Sequence, residues 1–157
     1  MTAHFDPKMM KNDRQKVVKK PDLSTSADFA KQLRLAGLRP TRQRLAIAAL
    51  LLDGRHRHVS ADSLIEEITT AGLQVSSGTV YNTLNQFTDA GLLRRVVVHN
   101  EYSLFDTNTD HHHHFYEASN DQLVDIPSDD VILAKLPQAP DGHEIKAGDV
   151  IIHVQSK

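Results

Sequence analysis

The sequence predicts an α+β chain, and three observations carry the prediction: four successive segments of helical spacing, strand-like pairs after them, and a change of charge sign between the two halves. Helical spacing begins at Ser24 or Ser26. Either can cap a segment with Phe29, Leu33 and Leu35 on its apolar side, and Gly37 supplies a stop. Thr41, after Pro40, caps a second helix in which Leu45, Ala48, Ala49 and Leu52 recur, and Asp53-Gly54 ends it. Ser60 caps a third, with Asp62 in the first turn, where the helix dipole favours an anion. Leu64, Ile65 and Ile68 face inward there, up to Gly72. Ser76-Ser77-Gly78 opens a fourth helix that runs to Ala90 and stops at Gly91.

Residues 93–98 and 101–105 are strand-like and form a hairpin around His99-Asn100. Three helices and a hairpin, with one extra helix in front, is the order of a winged helix-turn-helix. Residues 112–126 read as two short strands around Asn120-Asp121, 128–136 as a short helix and 145–154 as a final strand. That α/β group is too slight to bury a core alone, so a homodimer is expected. The division is a flexible basic arm over 1–22, a winged-helix DNA-binding domain over 23–106 and a small α/β dimerisation domain over 107–157, which also holds the metal or haem site.

Composition narrows the function. Zero cysteines exclude disulfides, thiolate zinc sites, iron–sulfur clusters and thiol redox sensing. No apolar run approaches the length of a membrane span, and residues 1–21 lack the apolar stretch of a secretory signal, so a cytoplasmic protein is expected. The net charge of −2 hides an asymmetry. Residues 1–99 carry 15 Lys/Arg against 9 Asp/Glu, and residues 100–157 carry 3 against 11. A basic front half and an acidic back half suit a nucleic-acid module joined to a metal-binding one.

The fourth helix supports this. Val80, Leu84 and Phe87 share one narrow arc and face the core. The opposite arc presents Gly78, Asn82, Asn85 and Gln86, flanked by Thr79 and Tyr81. Amide side chains bond adenine edges bidentately in the major groove, and tyrosine meets thymine methyls or phosphate. Ser76 and Ser77 suit a phosphate at the helix start. Arg39, Arg42 and Arg44, with Thr41 among them, provide backbone contacts. Alone, these amides would equally suit a solvated face; the basic flank and the hairpin favour double-stranded DNA.

Four consecutive histidines, His111 to His114, stand among Asp106, Asp110, Glu117, Asp121 and Asp125. Imidazoles beside carboxylates point to a divalent metal or haem. In an extended segment His111 and His113 face one way and His112 and His114 the other, so one run would serve two sites.

Several motifs resemble the ferric uptake regulator family: Gly37-Leu38-Arg39-Pro40-Thr41-Arg42-Gln43-Arg44, His58-Val59-Ser60-Ala61, Thr79-Val80-Tyr81-Asn82-Thr83-Leu84, Asp89-Ala90-Gly91-Leu92 and the histidine run. The resemblance implies a dimeric, metal-responsive transcription regulator that is not an enzyme. It matches Tyr81 to a base-contacting tyrosine, while Asn82 stands where many members carry arginine. It assigns His58, Asp106, His114 and Asp125 to one site for Mn, Fe or Zn. The second site of the family keeps His111 and His113 but meets Ile132 and Val150 at its other positions. The structural Cys-x-x-Cys zinc position is Glu117-Ala118-Ser119-Asn120.

These departures resemble the iron response regulator branch. That likeness implies iron and haem homeostasis, operator binding when iron is scarce, release by haem at His111, His112 and His113, and a haem-synthesis enzyme as a further partner. The alternative is a Mn/Fe/Zn-dependent repressor without haem sensing. A metallohydrolase is disfavoured, since no helical zinc-protease motif or phosphate-binding glycine loop accompanies the histidines. Failure to bind any duplex would favour a metal store.

Overall fold

Strand and helix boundaries come from a computed structural model that describes residues 23–99 and 102–157. The basic arm, and the hairpin tip at Asn100, lie outside these residues. The chain divides into two compact units, one ending at Thr109 and the other spanning Asp110–Lys157.

The first unit contains α1 (Leu23–Leu35), α2 (Arg42–Leu51), β1 (His58–Val59), α3 (Ala61–Thr70), α4 (Ser77–Asp89), β2 (Arg94–His99) and β3 (Tyr102–Asp106). Caps start the helices where the sequence places them. The Thr41 hydroxyl accepts the Arg44 backbone N–H, and Ser76 accepts that of Thr79. Ser60 and Ser63 each accept the other's backbone N–H in a reciprocal capping box at α3. Helix α4 ends at Gly91, whose φ of +74° turns the chain so that the Leu92 N–H reaches the Phe87 carbonyl at 2.8 Å.

Burial selects the faces. Phe29, Leu33, Leu51, Leu64, Ile68, Val80, Leu84 and Phe87 form the core, closed by Val59, Leu93 and Phe105 from the strands. Two expectations fail here. Leu35 is exposed rather than on the inner side of α1, and Ser24 and Ser26 both lie within the helix, whose described residues run from Leu23. In α2 the buried set is Ile47, Ala48, Leu50 and Leu51, with Leu45, Ala49 and Leu52 only partly buried. A segment apolar at nearly every position carries too weak a period to show its inner face.

The sheet of this unit has the order β1-β3-β2. Strand β1 was not expected: two residues are too few to show a period. It pairs antiparallel with β3, placing His58 opposite Asp106. The next residues outward reinforce the register, because the Thr107 N–H donates to the Arg57 carbonyl and the Arg57 N–H to the Thr107 hydroxyl.

The second unit is a sheet of order β5-β4-β6, formed by β4 (His113–Glu117), β5 (Gln122–Ile126) and β6 (Ile151–Val154). Strand β4 runs antiparallel to β5 and parallel to β6. The hairpin turns through Asp121, whose φ of +52° is tolerable for aspartate, and the Tyr116 hydroxyl donates to its carboxylate at 2.7 Å. The helix expected over 128–136 is instead one 3-10 turn, Ser128–Asp130, and the final strand is shorter than 145–154. Ile132, Leu133 and Leu136 are exposed, so a helix there has no inner face to bury, and Pro137 follows at once. No helix among the described residues is long and apolar enough to cross a membrane.

Candidate nucleic-acid interface and metal-ligating clusters

Helix α4 buries Val80, Thr83, Leu84 and Phe87 and leaves Ser76, Ser77, Tyr81, Asn82 and Asn85 exposed, with Thr79 half-buried. Its polar face is internally tied. The Arg44 guanidinium donates from Nε and Nη2 to Gln86 Oε1 at 3.2 and 2.8 Å, and from Nη1 to the Arg39 carbonyl at 2.8 Å. Arg44 therefore braces α2 against α4, while Arg39 and Arg42 remain exposed. The Tyr81 hydroxyl donates to Asp62 Oδ1 at 2.9 Å, and that bond to a carboxylate holds the phenol above its usual range. Thr41, Ser76 and Thr79 take part in capping, and the Ser76 and Thr79 hydroxyls lie 2.9 Å apart.

Arg95 escaped the sequence reading. Its guanidinium donates to Asn85 Oδ1 and lies over the Phe105 ring, 5.4 Å from the centroid. The signal was present as strand alternation: β2 buries Val96 and Val98 and turns Arg95, Val97 and His99 outward.

In the first unit His58 Nε2 lies 3.4 Å from Oδ2 of Asp106, which is fully buried and accepts the Asn108 N–H on its other oxygen at 2.8 Å. Backbone bonding at Arg57 and Thr107 makes His58 and Asp106 a non-hydrogen-bonded pair, the closer kind, with both side chains on one face. Arg57 also grips Glu67 of α3 through two bonds, which fastens the start of β1 to that helix.

In the second unit His114 stands opposite Asp125 in the β4–β5 register. Nε2 of His112 and of His114 lie 3.3 and 3.6 Å from Asp125 Oδ1. The rings alternate as an extended run requires: His112 packs edge-on to His114, and His111 to His113. His112 thus sits with His114 and Asp125 rather than with His111 and His113. The Val150 N–H donates to His113 Nδ1 at 3.2 Å, which leaves the ring proton of the neutral imidazole on Nε2. His111 is exposed, and so is Ile132. Buried imidazoles beside carboxylates form nitrogen–oxygen donor sets suited to Mn(II), Fe(II) or Zn(II).

Glu117 occupies a different setting at the far end of β4. Its buried carboxylate accepts the Ser156 hydroxyl at 2.6 Å, the Ser119 hydroxyl at 3.1 Å and the Asn120 amide at 3.1 Å. The Ser156 bond foremost, aided by Ser119 and Asn120, holds the carboxyl below its ordinary 4.5 against the opposing effect of burial. A depressed carboxyl contributes stability above its unfolded pKa and loses it as pH falls through the folded value. Melting temperatures from pH 6 to pH 3 should therefore fall more steeply in the native protein than in Glu117→Gln, and parallel curves would refute the contribution.

A winged helix with an exposed amide face, joined to clusters of metal-type donors, defines the class: a metal-responsive, DNA-binding transcription regulator. Residues 35–153 match the family model described as the ferric uptake regulator family. The ferric uptake regulation protein of Vibrio cholerae serotype O1 is 36% identical over 107 residues, covering 68% of this chain and 71% of its own length. That of Escherichia coli K12 is 34% identical over 115 residues, covering 73% and 77%. The Pseudomonas aeruginosa ferric uptake regulator, solved with manganese, superposes with a TM-score of 0.61 at 26% identity, over 82% of this chain and 98% of that one. The Vibrio cholerae regulator superposes with a TM-score of 0.64 at 23% identity, over 81% and 98%, and shows the shared fold. This chain belongs to the ferric uptake regulator family, whose members are transcription regulators and not enzymes.

Proposed function

We propose that this protein is a homodimeric repressor of iron-homeostasis genes that binds its operator under control of a divalent cation, Mn(II), Fe(II) or Zn(II). The observation that carries the reading is the pairing of each histidine with a carboxylate: His58 with Asp106, and His112 and His114 with Asp125. We assign His58, Asp106, His114 and Asp125 to one shared cation, with His112 as a neighbouring donor. Ligation by these residues would couple the cation to operator affinity. Arg39, Arg42, Ser76 and Ser77 would meet phosphates, and Thr79, Tyr81, Asn82 and Asn85 the bases, with Thr41 and Arg44 holding the α2 end in place. Exposed Ile132, Leu133, Leu136, Ile145 and Ile152 support a second copy as the cover of the small unit.

The test is a fluorescence-anisotropy titration of DNA from upstream of iron genes, with metal-free and manganese-loaded protein. His58→Ala combined with His114→Ala should abolish the manganese dependence. Unchanged affinity and unchanged dependence would disprove the shared cation.

Haem release is the second reading, favoured by one observation: His111 is exposed beside His113 and apart from the Asp125 group. His112, set against Asp125, fits that reading less well than His111 and His113. Haem titration at full affinity after all four run histidines become alanine would dismiss it.

A further inference from the structure

The polar face of α4 is not uniformly available to bases. The Tyr81 hydroxyl donates its hydrogen bond to Asp62, so toward another partner its oxygen can only accept. Gln86 Oε1 is taken twice by Arg44. Asn85 Oδ1 accepts from Arg95, and since a guanidinium only donates, the atom held toward the wing strand must be the amide oxygen, with one of its two lone pairs used. Asn82, exposed on the same face, makes no side-chain hydrogen bond among the described residues.

Bidentate recognition of adenine needs both halves of an amide, the oxygen for N6–H and the nitrogen for N7. We infer that Arg95 is a positioning residue that holds the Asn85 oxygen toward the wing strand, leaving Asn82 as the amide of this face able to turn both halves to one adenine. Two anchors keep Arg95 in place. It stands opposite Phe105 in the β2–β3 register, and its guanidinium lies against that ring. The wing strand thereby acts on base choice without touching a base. Tyr81 fits the same scheme: with its proton committed to Asp62, the ring face rather than the hydroxyl is what it offers, and a thymine methyl is its natural contact.

This rests on α4 being the helix that enters the groove. Selection from randomised duplexes by the manganese-loaded full chain, followed by sequencing, tests both levels. The wild type should select adenine at one position. Asn82→Ala should relax discrimination there by about tenfold or more while the other positions hold. Arg95→Met keeps an apolar stem over Phe105 but removes the donors. It should shift the base facing Asn85 toward adenine, because the amide, no longer held to the wing strand, can turn oxygen and nitrogen together to one base. Asn85→Asp retains the Arg95 bond and presents a second acceptor, so preference there should move to cytosine, whose N4 donates.

An Arg95→Met profile identical to wild type overturns the inference. Should Arg95→Met fail to fold by circular dichroism, an unchanged Asn85→Asp profile overturns it instead. If the wild type selects a sequence that neither Asn82→Ala nor Asn85→Asp alters at any position, the placement of α4 in the groove falls, and the inference falls with it.

Discussion

Asp106→Asn is expected to lower manganese affinity by at least about 10- to 100-fold, the range seen when even a supporting partner of a metal ligand is lost. The substitution isolates charge from shape. The amide keeps an oxygen for the Asn108 N–H, so the loop after β3 retains its bond at 2.8 Å, while the carboxylate facing His58 is gone. Operator affinity in excess manganese should recover partly, whereas affinity at limiting manganese should collapse. Calorimetric titration of the metal, followed by anisotropy at two manganese concentrations, separates these outcomes. Undiminished manganese affinity would remove Asp106 from the ligand set.

Phe87→Ala is expected to destabilise the first unit by about 3–5 kcal/mol, the usual range for deleting a fully buried aromatic side chain. Phe87 has no exposed surface and packs on the same side of α4 as Val80 and Leu84. Its backbone carbonyl also receives the bonds that end the helix, but these survive the change, so the loss reports packing alone. Against a total stability of about 5–15 kcal/mol for a domain, the effect removes about a fifth or more. Urea unfolding followed by circular dichroism measures it, and a loss below about 1 kcal/mol would show that the α4 core is not the principal packing contact. Sequence-specific DNA binding should weaken in parallel, since the reading face has no other scaffold.

Much of this was legible in the residues. Caps and glycine stops located α2, α3 and α4 because each depends on a single side chain with a short-range partner. The inner arc of α4 was visible for the same reason of locality: Val80, Leu84 and Phe87 recur at one spacing. The failures share the opposite character. Strand β1 exists because Asp106 and Phe105, almost fifty residues on, provide an edge for it, and no two-residue segment announces a distant partner. The helix expected over 128–136 failed because Ile132, Leu133 and Leu136 find no cover within the small unit, a long-range condition that local spacing does not reveal.

The candidate site followed the same division. Alternation along the histidine run separated its two faces, which the ring contacts reproduce. Assigning His112 to the Asp125 side needed the register of β4 with β5, a long-range fact. Arg44 reads as a phosphate-binding cation in a sequence, and its bond to Gln86 depends on how α2 crosses α4. Arg95 was overlooked because a hairpin arginine is normally solvated.

The bonds around Glu117 have a practical consequence for how such a sensor can be handled. They fasten the chain end at Ser156 to the β4–β5 hairpin with oxygen and nitrogen atoms alone. Peroxide has no thiol to attack there, since the chain contains no cysteine. Removal of the proposed cation is therefore expected to leave the Ser156 anchor in place. Signal and scaffold have been given separate chemistries.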